Sequence, residues 1–447
     1  MRPDRTDTIG GAAGVAGLAV VRNGRIVDPA SGCDEQADLW MRDGRIVDRP
    51  ADDEAKGAAV IDADGLFVLP GLVDLHAHLC EPGFEYRETL ESGALAAAAG
   101  GVTAVACMPD TDPVIDDAPM VEFVRERAAG AAAKIHPIAA VTAGRAGERL
   151  TEAGELAEAG AVALSDAGRS IRNPAILRRA LEYSRMFDLP ILVHCEDPSL
   201  SAGGHMHEGS HATRLGLKGI PSIAEETVVA RDLMLAEWTG GRIHVTHAST
   251  AVTVDLIRSA KQRGVRVTAD ASPHHLVLTD DSLSTYAYDT HLKVNPPLRS
   301  KADVEALRYG LADGTIDAVA SGHTPRSVDE KYTEFQEALP GATGLETMLA
   351  VVFTELVRPG LLTLGEAVKA LSASPAGILG VEGGSLASGG PADLLLFDPD
   401  GTWTVDPASF RSRSSNSPFT GRTLEGCITM TIVGDRVSYR RDAPESP

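Results

Sequence analysis

The chain has 447 residues, 43% of them hydrophobic, which is enough for one large domain with a sizeable core and a smaller one beside it. Its 63 acidic residues against 41 basic ones leave a formal net charge of -22, which repels phosphate backbones and anionic lipid surfaces, so no nucleic-acid or membrane partner is expected. Five scattered cysteines, Cys33, Cys80, Cys107, Cys195 and Cys427, include no C-x-x-C pair and suit a reducing compartment rather than a disulfide framework.

At the start, Arg2 and Arg5 precede the apolar run "IGGAAGVAGLAVV", which has the superficial outline of a signal peptide. The run passes directly into "VRNGRIVDP", a strand-and-turn pattern without a cleavage region, so a cytoplasmic protein is expected. Around "NGRIVDPA" and "DGRIVDRP" apolar and polar positions alternate, and each N-G or D-G pair signals a tight turn between strands, a small echo of hairpins. The middle of the chain alternates short apolar strands, "GVTAVACM", "KIHPIAAV", "AVALSD", "LPILVHCE", "RIHVTHAS", "VRVTADAS" and "IDAVASGH", with helical stretches. "NPAILRRALEYSRMFD", with Asn173 as cap before Pro174, and "SIAEETVVARDLMLAEW" are two such helices. Repeated strand–helix units of this length predict an α/β fold, a parallel (β/α)8 TIM-like barrel over residues 69–383. Strand character returns in "GGPADLLLFDPDGTWTV" and "MTIVGDRVSYR", so residues 1–68 and 384–447 are expected to meet in a small composite β-sandwich.

In such a barrel the chemistry sits at the C-terminal ends of the strands. His76 and His78 are two apart and face the same side of an extended strand, His194 ends "LPILVH", and His247 ends "RIHVTH". Four imidazoles delivered to one face favour a zinc-type site. His244, three residues before His247, points to the opposite face and reads as structural, as do His136, His205, His207, His211 and His291. "GRAGERL" and "GGSLASGG" lack the spacing of a phosphate-binding loop and read as loops.

"DLHAHLCEPGFEYRETLESGALAAAAGGVTAVACMPDTDPV", "ALSDAG", "HCEDPSL", "VTHAST", "SPHHL", "VNPPLR" and "GATGLET" together resemble the class I dihydroorotases of the amidohydrolase superfamily, in order over nearly the whole chain. The resemblance implies a barrel with a composite β-sandwich, a zinc centre, and reversible closure of carbamoyl aspartate to dihydroorotate.

The departures fall in the working parts. The family reads H-x-H-x-R, with an arginine for the substrate carboxylate, where this chain has Cys80. Its substrate-binding asparagine in M-P-N-T is Asp110 here. Its S-D-D-G, whose second aspartate is taken as the metal ligand, becomes Asp166 followed by Ala167. Its D-H-A-P-H becomes "GHTPR", so Gly322 replaces the aspartate that ligates the metal and shuttles the proton, and Arg326 replaces a substrate-binding histidine. Asn295 is retained, and His323, next to Gly322 along the strand, should point away.

All four histidines are kept while acidic ligands and substrate-facing side chains are not. The resulting expectation is a metal-dependent amidohydrolase acting on a cyclic amide or ureide rather than an efficient dihydroorotase. Zinc would be held by His76, His78, His194 and His247, with Asp166 or Cys80 as further ligands; of one or two ions, one is favoured, because bridging negative charge has been lost. Cys80, Asp110, Asn295 and Arg326 would line the substrate pocket, and no base is assigned. The alternative is a catalytically inactive homologue that scaffolds aspartate carbamoyltransferase in pyrimidine synthesis. A homo-oligomer is expected in either case.

Overall fold

The computed structural model describes Val15 and residues 17–285 and 288–441. Most of the apolar run near the start, 9–14 and 16, therefore lies outside the described residues, and its end is a strand, Leu18–Arg22. Among the described residues no helix is long and apolar enough to cross a membrane.

Eight parallel strands form the barrel in chain order: β1 (Leu72–Ala77), β2 (Val102–Cys107), β3 (Lys134–Ala139), β4 (Ala163–Leu164), β5 (Ile191–Val193), β6 (Ile243–Val245), β7 (Val267–Ala271) and β8 (Ala318–Val319). All but the first lie within the stretches named from the sequence. Strands covered on both faces read as continuous apolar runs, and every residue of β1 and β2 is buried. The ring closes between β1 and the residues after β8. Ala77 bridges to His323 in parallel, and the His78 N–H donates to the His323 carbonyl at 2.9 Å. Buried Asp74 takes the Ser321 N–H at 2.7 Å together with the Ser321 hydroxyl.

Between strands the helices start where the sequence supplies caps. Asn173 accepts from the Ala175 N–H at 2.9 Å ahead of helix Pro174–Ser184, whose Leu177, Ala180 and Leu181 are buried. The other helix expected from the sequence runs Ile223–Thr239.

The ends of the chain build two further sheets. Arg436–Arg440, Thr423–Val433, Leu394–Thr404, Phe67–Pro70, Arg25–Asp28 and Cys33–Gln36 lie side by side in one. Arg45–Val47, Leu39–Arg42, Leu18–Arg22 and Ala59–Asp62 make the other. Val21, Met41, Leu394 and Ile432 belong to one apolar cluster between them. Of the two tight-turn signals, Asp43-Gly44 makes a true hairpin, pairing Leu39–Arg42 with Arg45–Val47. Asn23-Gly24 does not: the strands on either side of it belong to different sheets, so this turn is a corner between layers.

Gly344, in "GATGLET", is packed against the closing seam. A Cβ there would meet the Ser321 carbonyl oxygen at 2.2 Å, and its N–H donates to His323 Nδ1 at 3.3 Å. Gly344→Ala is expected to destabilise the fold by about 1–3 kcal/mol, read as a lowered melting temperature. An unchanged melting temperature would contradict this packing.

Candidate active site

His76 lies within β1 and His78 just beyond it, His194 follows β5 directly, and His247 follows β6 after Thr246. The short strands thus bring four imidazoles to one end of the barrel. His76 Nε2 stands 3.1 Å from His78 Nε2, and His194 Nδ1 stands 3.2 Å from His247 Nε2. The His76 and His247 rings, 5.2 Å apart, join the two pairs. Burial, reinforced by the neighbouring imidazoles, holds His76 and His247 well below the ordinary histidine range, so both are neutral.

Carboxylates stand behind these rings. His78 Nδ1 meets Asp110 Oδ1 at 2.6 Å, and His194 Nε2 meets Glu196 Oε2 at 2.9 Å, an oxygen that also accepts from Asn295 Nδ2 at 2.8 Å. Burial works against the Asp110 carboxylate, but the charge and hydrogen bond of His78 outweigh it and hold the group well below the usual range. Against the same penalty of burial, the His194 hydrogen bond and charge bring Glu196 down to about 2. Asp270 takes the His247 N–H at 2.7 Å and, through its other oxygen, His244 Nε2 at 2.8 Å. His244, whose Nδ1 meets the Thr268 hydroxyl at 2.8 Å, is thereby a buried support.

The remaining expected site residues divide. Asp110, Asn295, Gly322 and Arg326 line a cavity of about 260 Å³ together with the four histidines. Asp166 and Cys80 are not among its lining residues. The Asp166 carboxylate accepts the Thr142 N–H at 3.0 Å and hydroxyl at 2.6 Å. Cys80 Sγ points to the His78 carbonyl at 3.6 Å, and burial, with Asp110 and Glu88 nearby, pushes its thiol up, away from the thiolate that binds metal. His323 is turned to buried Glu88, 3.3 Å from its Nε2. His136, His205, His207, His211 and His291 also stay outside the cavity lining.

Gly322 has φ +60, and a Cβ there would meet Ser272 Oγ at 2.6 Å and His274 Cε1 at 3.0 Å. A side chain at this position must therefore displace the Ser272 hydroxyl.

Among the lining residues given no role from the sequence are Arg145, Arg169, Ser272, His274 and His275. Glu196, which contacts His194, was also missed, although it follows that histidine by two, the spacing that joins His76 to His78. Arg145 gave no such signal, because it sits on a loop after β3 with φ +56.

Among the described residues no group of three or more His, Cys, Asp or Glu side chains is arranged to enclose an ion as it stands. The donor chemistry nevertheless fits one. Two nitrogens bound at 2.0–2.1 Å to one tetrahedral zinc lie about 3.3 Å apart, close to the spacing within each pair. Carboxylates fix the far nitrogens of His78 and His194, as behind metal-bound imidazoles.

A family model described as Dihydro-orotase-like matches residues 65–252. A dihydroorotase of Pelotomaculum thermopropionicum is 50% identical over 418 residues, covering 94% of this chain and 97% of its own. The dihydroorotase of Syntrophotalea carbinolica is 49% identical over 422 residues, covering 94% and 99%. Among solved structures, the L-hydantoinase (dihydropyrimidinase) from Arthrobacter aurescens superposes with a TM-score of 0.83 at 27% identity, covering 94% of this chain and 95% of that one. The dihydropyrimidinase from Brevibacillus agri NCHU1002, at 24% identity and a TM-score of 0.82, shares the fold.

If Asp110 orients His78 rather than facing a ligand alone, Asp110→Ala should weaken zinc binding about 10–100-fold in competition with a chelating dye. An unchanged affinity would show that the contact does not position the imidazole.

Proposed function

The chain belongs to the dihydroorotase family and is a hydrolase of cyclic-amide C–N bonds, and from that premise we propose that it opens a cyclic ureide with the help of one zinc ion, turning over dihydroorotate poorly. The observation that carries this reading is Gly322. The strand-end position that bears the family's proton-shuttling aspartate has no side chain, and its left-handed backbone and the close approach of Ser272 oppose one.

His76, His78, His194 and His247 would hold the ion, which when bound supplies a polarising charge for the carbonyl and a water of lowered pKa. Asp110 and Glu196 fix the orientation of two of those imidazoles, and Asn295 braces Glu196. Beside Gly322 stands the ring of His274, kept neutral by burial. Held neutral in this way it is a weak proton acceptor and does not make good the missing aspartate. A second dication finds no bridging carboxylate: Ala167 and Gly322 have none, and Asp166 is engaged by Thr142. The five cysteines, all free, support placing this activity in the cytoplasm.

The same missing carboxylates favour a second reading, a non-catalytic partner of aspartate carbamoyltransferase. Supplying zinc and assaying a panel of five- and six-membered cyclic ureides separates the two. Turnover of at least one ring supports the hydrolase; no turnover, with co-purification of the transferase, supports the partner. Zinc analysis should give one ion per chain, and two fully occupied ions would contradict the charge argument. Dihydroorotate should be hydrolysed far below the roughly 1–10³ per second of ordinary enzymes. Gly322→Asp alone should not restore it, because the new side chain must displace Ser272. Ordinary turnover by the wild-type protein would overturn the reading of Gly322.

A further inference from the structure

The floor of the cavity is histidine, but part of its wall is arginine. Arg145, Arg169 and Arg326 all line it, in a chain whose formal net charge is -22. Arg145 reaches over the end of β4, its Nε donating to the Asp166 carbonyl at 2.9 Å and its Nη2 to the Ala167 carbonyl at 2.8 Å. A guanidinium therefore stands beside the position where the family carries its acidic metal ligand. Neither hydrogen bond uses Nη1, for which the described residues provide no partner. Among the described residues the Arg326 guanidinium uses Nε alone, on the Pro340 carbonyl at 2.8 Å.

Both guanidiniums are mostly buried, and burial is the main influence on each, lowering its pKa, while the charge of Asp110 acts the other way. Asp110 is the carboxylate they share, and its Oδ1 is already bonded to His78. Asp166 also acts on Arg145 and Glu330 on Arg326, but Asp166 accepts from Thr142 and Glu330 from Arg87, so each of these carboxylates already has a partner. A planar guanidinium edge with free N–H groups matches a carboxylate.

We propose that Arg145, together with Arg326, binds a carboxylate on the ring substrate, taking over the task that the absent arginine at position 80 performs in the family. Arg145 is the specificity-determining residue of the pair. This rests on the reading that the cavity takes a cyclic ureide, which it narrows to an anionic one. The same positive charge, next to Ala167, discourages a second dication there.

The test compares two rings that differ by the anionic group, orotate and uracil, whose binding to the zinc-loaded protein is measured by calorimetry. The wild type should bind orotate at least tenfold more tightly than uracil. R145Q and R326Q should each weaken orotate binding at least tenfold and leave uracil unchanged, and R145K, which keeps the charge but loses the fork, should fall between. If Arg145 only anchors the end of β4, R145Q will lower the melting temperature and weaken both ligands alike, which overturns the proposal. R326Q tests the same site without touching that strand end, and unchanged orotate binding there also overturns it. Equal wild-type affinity for the two rings defeats the anion site while leaving the cyclic-ureide reading intact. Binding of neither defeats both.

Discussion

Four imidazoles buried at the open end of a barrel have to be aimed, and in this protein carboxylates aim them. Asp110 holds His78, Glu196 holds His194, and Asp270 holds the His247 backbone while bonding His244. Asp74 ties β1, which carries His76, to Ser321 across the closing seam, and burial lifts its pKa to about 6 against those hydrogen bonds. Asp166 supports Thr142 instead. These five acidic groups are each committed to a ring or a strand end. The rings gain fixed direction, and the cavity is left short of carboxylates available for proton transfer or for bridging metals.

That division of labour gives Asp110 a different meaning from the one its position in the sequence suggests. Read against an asparagine that binds substrate, an aspartate looks like a repulsive group in an anion pocket. Bonded to His78, with the charges of Arg145 and Arg326 acting on it, it is part of the support of the histidine cluster. Relatives about half identical over nearly their full length belong to the same family, and the departures from its motifs at Cys80, Ala167 and Gly322 fall at or just beyond strand ends. In a barrel this is where change is most easily tolerated, since the loops carry chemistry and the strands carry stability.

The eight strands, the meeting of the two ends and the four histidines were legible because each leaves a periodic or spaced trace: apolar runs at regular intervals, alternation, H-x-H. Glu196 was legible in the same way, two residues after His194, but acidic residues are common enough that the spacing did not stand out. Arg145 could not be found, because its place depends on a loop turning through left-handed backbone at Gly144 and Arg145 onto the end of the next barrel strand. The seating of Gly322 against Ser272 was hidden for a related reason. A glycine shows in the sequence that a side chain is missing, but the neighbour that fills its space belongs to β7's continuation, some fifty residues earlier.

The six-stranded sheet has a kinetic side. Phe67–Pro70 leads straight into β1, yet one of its neighbours is Leu394–Thr404, with Pro70 opposite Leu394. The early strand cannot gain that edge until the later one has been made, so the barrel's first strand is launched from a half-finished platform. Contacts between residues so far apart in sequence raise contact order and slow folding. While the chain is being synthesised, the exposed edge at Phe67–Pro70 is the place where a chaperone, or another unfinished copy, would find a strand to pair with.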